Sequence, residues 1–270
     1  MKKNIYVTVL ATVIAICSGI FVSFNISDNT ALTSSAIYDS VDNKAIGWGI
    51  KKVENSEPEI PLSQQEMLAK YNSFYMDKTK PKKLYLTFDE GYENGYTAKI
   101  LDTLKEKQVS AAFFITAPYA KEQKELINRM INEGHIIGNH TINHPNLPKL
   151  ANPEKISEEL TGMNNLVKEL YNYEMKYMRP PEGEYSEKVL SIAKDLGFKT
   201  VFWSFAYKDW DRNTQKGKDY AISQITPYLH DGAVLLLHAV SKDNADALGE
   251  IIDYAHNNGY EFASLDEICT

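Results

Sequence analysis

Five short runs carry residues able to do chemistry. They are Asp89-Glu90, His140 with His144, Arg179, Asp209-Trp210 and His238. Asp89 and Glu90 follow the apolar run Leu84-Tyr85-Leu86 and precede Gly91, so two carboxylates stand together where a strand ends in a turn. Adjacent carboxylates repel, and a protein keeps such a pair where a cation or a proton transfer needs it. His140 and His144 are four residues apart, the spacing at which one helical turn aims two imidazoles at one point, as zinc and other divalent ions require. An isolated pair of that kind is as readily a capping histidine and a loop histidine. A carboxylate from another strand end would complete two histidines and one acid, with open positions for water, which describes a catalytic metal site. One acid would then ligate the ion and its neighbour would act as general base. His238 ends an apolar run, where a histidine is more often a hydrogen-bonded core residue. Set across from a metal it could protonate a leaving group or stabilise an oxyanion. Asp209 could orient that imidazole, and Arg179 reads otherwise as a surface charge. Trp203 and Trp210 are ordinary core aromatics unless exposed, in which case their indoles would stack on sugar faces.

The elements that must position these residues form a regular alternation. Short, largely apolar runs begin at Leu84, Ala112, His135, Met175, Val201, Ala233 and Glu261. Helical patterns lie between them at 96–107, 121–132, 153–171, 186–196, 217–229 and 244–257. Pro153 suits a first helical turn, with Asn152 as its cap. Gly134, Gly197 and Gly259 stand where helices end and strands begin. Seven strands alternating with helices, with no hairpin signal, predict βαβ units and a parallel sheet covered on both faces. A doubly wound sheet and a barrel both fit this pattern. Either way, the reactive runs fall after strand C-termini, where α/β folds gather their sites.

The chain has 270 residues, 43% hydrophobic and 24% charged, with a net charge of -7. That composition gives an ample core and argues against a nucleic-acid partner bound through phosphates. No obligate protein partner is evident. Lys2 and Lys3 precede an uncharged apolar run from Ile5 to Phe24, which predicts export by a signal peptide or an N-terminal membrane anchor over residues 1–25. Lysines before the run and acids after it put the body outside the cytoplasmic membrane. Residues 26–80 read as a linker and N-terminal extension, with Trp48 and Ile50 able to dock on the domain formed by 81–270. Cys17 and Cys269 are the only cysteines and are not placed to pair, which excludes a disulfide framework and a cysteine-type zinc site in the exported body.

These motifs, in this order, resemble the polysaccharide deacetylases of the NodB-homology type, carbohydrate esterase family 4. Thr87-Phe88-Asp89-Glu90-Gly91 stands for the first motif and His140-Thr141-Ile142-Asn143-His144-Pro145 for the second. Arg179-Pro180-Pro181-Glu182-Gly183, Asp209-Trp210 and Leu236-Leu237-His238 stand for the third to fifth. Gly91-Tyr92-Glu93-Asn94-Gly95-Tyr96, Trp203-Ser204-Phe205-Ala206 and the run from His238 to Ala245 are similar to the branch that makes muramic δ-lactam in spore-cortex peptidoglycan. The resemblance implies an α/β fold, a distorted (β/α) barrel of about seven βα units. It implies Asp89 as base, held by Arg179, and His238 as acid, tuned by Asp209. It also implies a divalent metal, zinc by preference, on His140, His144 and the residue at position 90. Most of the family has aspartate where this chain has Glu90, and the third motif often carries a basic residue where this chain has Glu182. Tyr92, Asn94, Pro180 and Trp210 are the candidate substrate contacts. The implied partner is the peptidoglycan glycan strand, and the implied reaction is de-N-acetylation of N-acetylmuramic acid. Its location would be secreted, anchored at the outer face of the membrane, or in the spore intermembrane space. The competing readings are an N-acetylglucosamine or chitooligosaccharide deacetylase and a non-catalytic wall-binding module.

Overall fold

The computed structural model describes residues 40–150 and 152–268 together with residue 38. The apolar run expected to drive export, Cys17 and Cys269 lie outside the described residues. Among the described residues no helix is long and apolar enough to cross a membrane. The compact body begins at Asn43.

Its strands are β1 (Ile46–Gly47), β2 (Lys51–Val53), β3 (Ser56–Glu59), β4 (Ser73–Phe74), β5 (Lys83–Glu90), β6 (Ala112–Ile115), β7 (Ile136–Asn139), β8 (Tyr177–Met178), β9 (Glu184–Tyr185), β10 (Lys199–Val201), β11 (Phe205–Ala206), β12 (Ala233–His238) and β13 (Glu261–Phe262). Its helices are α1 (Leu62–Lys70), α2 (Thr97–Lys107), α3 (Ala117–Glu122), α4 (Lys124–Asn132), α5 (Pro153–Tyr171), α6 (Glu187–Asp195), α7 (Lys218–Ile225) and α8 (Lys242–Asn257). Asn152 caps α5, its side chain accepting from the backbone N–H groups of Glu154 and Lys155. Gly134, Gly197 and Gly259 each have positive φ, the left-handed turn that hands a helix to the next strand.

Among the described residues the main sheet has nine strands, in the order β11-β12-β5-β6-β7-β8-β10-β4 with β13 beside β5, and its pairs are parallel. β11 stands at one edge of that order and β10 next to β4, the strand at the other edge, yet only three residues separate β10 from β11 in sequence. The chain through Phe202–Ser204 therefore joins the two edges. Phe202 N–H donates to Phe74 O at 2.8 Å, and Ser204 N–H donates to Val234 O at 3.0 Å. The sheet curls into the distorted barrel that the family resemblance implies, one of the two arrangements that the alternation of elements leaves open.

Alternation along the strands sorts side chains between two layers. Leu84, Leu86 and Phe88 of β5 and Ala233, Leu235 and Leu237 of β12 face outward into one apolar cluster under the helices. Tyr85, Phe114, Ile136, Tyr177 and Val234 face inward and fill the barrel. Both faces of these strands are thus removed from water, each Å² of apolar surface buried contributing about 25 cal/mol.

Two differences from expectation lie before residue 81. The stretch from Asn43 is built into the body rather than linking to it. β1 pairs antiparallel with β9, and Trp48 packs with Tyr75, Tyr185 and Phe202, its indole N–H donating to Trp203 O at 2.9 Å. Ile50 packs against the same cluster. β2 and β3 form an antiparallel hairpin that turns at Asn55, whose φ is 54°. The polar composition here hid these elements: Lys51, Ser56 and Glu59 are exposed, so neither strand has the apolar alternation by which strands are recognised. β4 and β11, two residues each, are too short to carry any periodicity.

Candidate active site

The inward positions at the C-terminal ends of the strands converge on one cavity of about 870 Å³. Parallel register does much of the placing. His238 of β12 lies beside Asp89 of β5, so two side chains distant in sequence share the inner face. His140 follows β7 and Arg179 follows β8. Arg179 N–H donates to Asn139 O at 2.9 Å, which ties these two strand ends together. Gly138 is the inward residue before His140, and a Cβ there would meet the Phe114 ring at 2.5 Å. That ring in turn lies 4.2 Å under the Arg179 guanidinium.

Arg179 is fully buried, and its donors are directed at fixed acceptors. Nη1 donates to Asp89 Oδ1 at 2.7 Å, Nη2 to Thr87 Oγ1 at 2.9 Å and Nε to Val201 O at 3.0 Å. Burial alone would raise the Asp89 pKa, but the positive charge of Arg179, with His140 and His238, outweighs it and holds the carboxyl below the ordinary aspartate value. Asp89 therefore stands ionised, with one oxygen engaged by Arg179 and the other 3.6 Å from His140 Nε2.

His238 is the opposite case. Its Nδ1–H donates to Asp209 Oδ1 at 2.7 Å, and its backbone N–H donates to Asp209 Oδ2 at 2.8 Å. Burial favours the neutral imidazole, but the Asp209 charge and hydrogen bond outweigh burial and raise the pKa above the ordinary histidine value. Asp209 is itself fixed by Asn244, whose amide donates to Oδ2 at 2.6 Å. Tyr207 hydrogen-bonds the other end of that amide. An ionised base and an imidazole whose charged form is favoured thus stand side by side at the cavity, which is the pairing that acid–base hydrolysis needs.

His140 and His144 do meet, with ring centroids 4.8 Å apart. A turn brings them together rather than a helix, because Thr141 and His144 have φ of 69° and 55°. His140 Nδ1–H donates to Arg179 O at 2.9 Å, which leaves the Nε2 lone pair facing the cavity. Burial lowers the His140 pKa to about 4, so the ring is neutral and available as a ligand.

Glu90 is not with them. β5 continues through Glu90, so the alternation that turns Asp89 inward turns its neighbour outward. Its carboxyl is fully buried on the helix side, and neither oxygen has a hydrogen-bond partner among the described residues. Burial, then the Glu93 and Asp89 charges, push its pKa well above the ordinary glutamate value. A carboxyl that faces away from the imidazoles and does not line the cavity is not placed to be their third ligand. Among the described residues no group of three His, Cys, Asp or Glu side chains is arranged to hold a metal ion. The donors fit a two-imidazole grip on a divalent ion with open positions; they do not fit the expected His-His-Glu set. Glu90→Gln is therefore expected to leave zinc affinity in equilibrium dialysis unchanged, whereas His140→Ala abolishes it. Loss of zinc from Glu90→Gln comparable to that of His140→Ala would refute this placement.

Of the expected substrate contacts, Tyr92 and Trp210 line the cavity and are 43% and 51% exposed. Trp210 lies edge-on to His238 at 5.6 Å. Asn94 instead donates to Val240 O at 2.9 Å and fixes the loop after β5, and Pro180 is buried behind the cavity wall. Trp203, read from the sequence as a core aromatic unless exposed, also lines the cavity; Glu182 and Lys208 line it without having been among the expected contacts, and Asn244 is the support behind Asp209. Asn244 lies in the His238-to-Ala245 run, where an i, i+6 relation to His238 was the one available signal.

The polysaccharide deacetylase family profile matches residues 76–201. A peptidoglycan-N-acetylmuramic acid deacetylase of Bacillus subtilis is 45% identical over 232 residues, covering 85% of this chain and 88% of that protein. A peptidoglycan-N-acetylglucosamine deacetylase of Bacillus cereus is 33% identical over 73% of this chain and 71% of its own. Among solved structures, a family 4 carbohydrate esterase of B. subtilis superimposes with a TM-score of 0.81 at 45% identity, covering 84% of this chain and 98% of that one.

Proposed function

The chain belongs to the polysaccharide deacetylase family, and we propose that it removes the N-acetyl group of N-acetylmuramic acid in peptidoglycan. The observation that carries the chemistry is the placing of Arg179-held Asp89 beside Asp209-held His238 in one cavity. The 45% identity to an N-acetylmuramic acid deacetylase over most of both chains carries the choice of sugar.

In this reading Asp89 takes a proton from the water that attacks the acetamide carbonyl. Arg179 keeps the carboxylate ionised and aimed. His238 gives its Nε2 proton to the departing amine as the C–N bond breaks, leaving acetate and a free sugar amine. A divalent ion, zinc by preference, held by His140 and His144 would polarise the acetamide carbonyl and acidify the water. Trp210 and Tyr92 offer aromatic faces to the glycan at the cavity rim. The freed C2 amine then lies next to the lactyl carboxylate on O3, from which a δ-lactam closes with loss of water, the modification of spore-cortex glycan. Action on peptidoglycan requires a location outside the cytoplasmic membrane, in keeping with the uncharged run from Ile5 to Phe24.

The test is product analysis of purified peptidoglycan, with and without prior amidase treatment to remove stem peptides. Acetate release together with de-N-acetylated muramic acid or its lactam, greater after amidase, is the expected result. Loss of acetyl groups from glucosamine residues or chitin oligomers alone would replace this substrate with the N-acetylglucosamine reading, and no acetate from any glycan would leave the wall-binding reading.

A further inference from the structure

The two sugars of peptidoglycan differ in one group. N-acetylmuramic acid carries a lactyl ether on O3, and that ether bears a free carboxylate only when no stem peptide is attached. A cavity that recognises this group needs a cation near the reacting C2. Arg179 cannot serve, because it is fully buried and committed to Asp89, Thr87 and Val201. Lys208 is suitably placed: it is the only Lys or Arg among the described residues lining the cavity, whereas Arg212 is occupied over the Tyr92 ring at the rim, 4.9 Å from its centroid.

We propose that Lys208 selects the substrate by pairing with the free lactyl carboxylate of muramic acid; the inference rests on the function proposed above. Its backbone is fixed on both sides. Tyr207 before it is buried and bonded to Asn244, and Asp209 after it holds both the His238 ring and the His238 backbone N–H. The position of Lys208 is thereby set relative to the imidazole that protonates the C2 amine, and O3 is on the adjacent sugar carbon. Its ammonium is free to exchange partners. The side chain is 65% exposed, and its ion pair is with Asp211 at 3.8 Å, a surface contact of little strength. An anion entering this site also meets the Glu182 carboxylate on the wall, and the chain as a whole has a net charge of -7. A carboxylate-bearing sugar is therefore repelled unless a cation receives it. A stem peptide converts the lactyl group to an amide and removes the charge, so Lys208 makes the enzyme prefer glycan already stripped of peptide.

The experiment uses the full chain and two glycan preparations, peptide-free strands and the same strands with the lactyl carboxylates coupled to methylamine. Acetate release gives kcat/KM, and product analysis identifies the sugar deacetylated. Lys208→Gln is expected to lower kcat/KM on the free-carboxylate glycan about tenfold, mainly through KM, with no change on the amide-capped glycan. Lys208→Arg should retain most of the preference, and high ionic strength should narrow it in the wild type. Equal loss on both glycans would show a merely structural role and overturn the proposal, as would an unaltered preference in Lys208→Gln. If the wild type deacetylates only glucosamine residues, the substrate reading fails and Lys208 selection falls with it. If it deacetylates muramic acid while Lys208→Gln keeps the preference, the selection by Lys208 alone is wrong.

Discussion

Asp89→Asn lowers kcat/KM for acetate release by about 10²–10⁴, the span associated with removing a general base. The amide keeps the shape of the carboxylate and one of its acceptors but cannot take a proton. The same change leaves the buried Arg179 charge without its counter-ion, and breaking a buried pair from one side costs about 3–5 kcal/mol of stability. Lost activity in this variant could therefore reflect lost structure. The double variant Asp89→Asn with Arg179→Met separates the two effects. Replacing both partners removes the stranded charge, so the thermal midpoint recovers toward that of the wild type while activity stays absent. Thermal unfolding by circular dichroism and acetate release on the same samples provide the check. Activity in Asp89→Asn above a tenth of the wild-type value would refute the assignment of this carboxylate as base.

Asp209→Asn moves the alkaline limb of the pH profile. His238 must be protonated to donate to the amine, and its pKa lies above 6.5 in the folded protein because the Asp209 charge and hydrogen bond outweigh burial. In the wild type the alkaline limb of kcat/KM therefore falls above pH 6.5. Asparagine removes the charge, and burial, which lowers the pKa, then prevails, so the limb moves below 6.5. The acid limb reports Asp89, held below the ordinary aspartate value of 3.8, and the neutral state of His140, whose pKa is about 4. It stays in place, and the active range narrows from the alkaline side only. A tautomer effect adds to the loss. The introduced asparagine must keep its carbonyl toward the His238 backbone N–H and Asn244, the two donors that now share Asp209 Oδ2. Its NH₂ then faces Nδ1, which becomes an acceptor, and the ring is held in the neutral Nε2–H form. The expected loss at the optimum is about 10²–10⁴. A pH profile with both limbs unmoved would show that Asp209 does not tune His238.

Much of this was legible in residue order. Strand and helix alternation predicted a parallel βα architecture because buried strands leave apolar runs and their connections leave amphipathic ones. The reactive residues announced themselves because their types are costly away from solvent unless chemistry requires them there. Two acids in a row and a histidine ending an apolar strand are of that kind. Less legible was the body before residue 81. Trp48 was a visible anchor, but β2 and β3 are exposed strands with no apolar face, and β4 is held in place by its neighbour β10. Asn94 and Pro180 carried the right local pattern and still point elsewhere, Asn94 to the Val240 carbonyl and Pro180 into the wall.

The difference between what sequence determines and what tertiary structure decides is sharpest at Asp89 and Glu90. Local sequence determined that two acids stand at a strand end, and that histidines, an arginine and a further aspartate stand at others. Neighbours on a strand face opposite sides, so the two acids could share a site only if the strand ended before them. What it could not contain is where the strand stops being a strand. β5 stays paired through Glu90, which lies opposite Ile115 of β6, and that one extra pairing sends the second carboxyl under the helices. The partners of the first were likewise decided by register and closure. His238 stands beside Asp89 only because β12 and β5 pair in that phase, and Arg179 reaches Asp89 only because the curled sheet brings the end of β8 across the barrel. The residue types fix which chemistry is available; the pairing of distant strands decides which atoms meet.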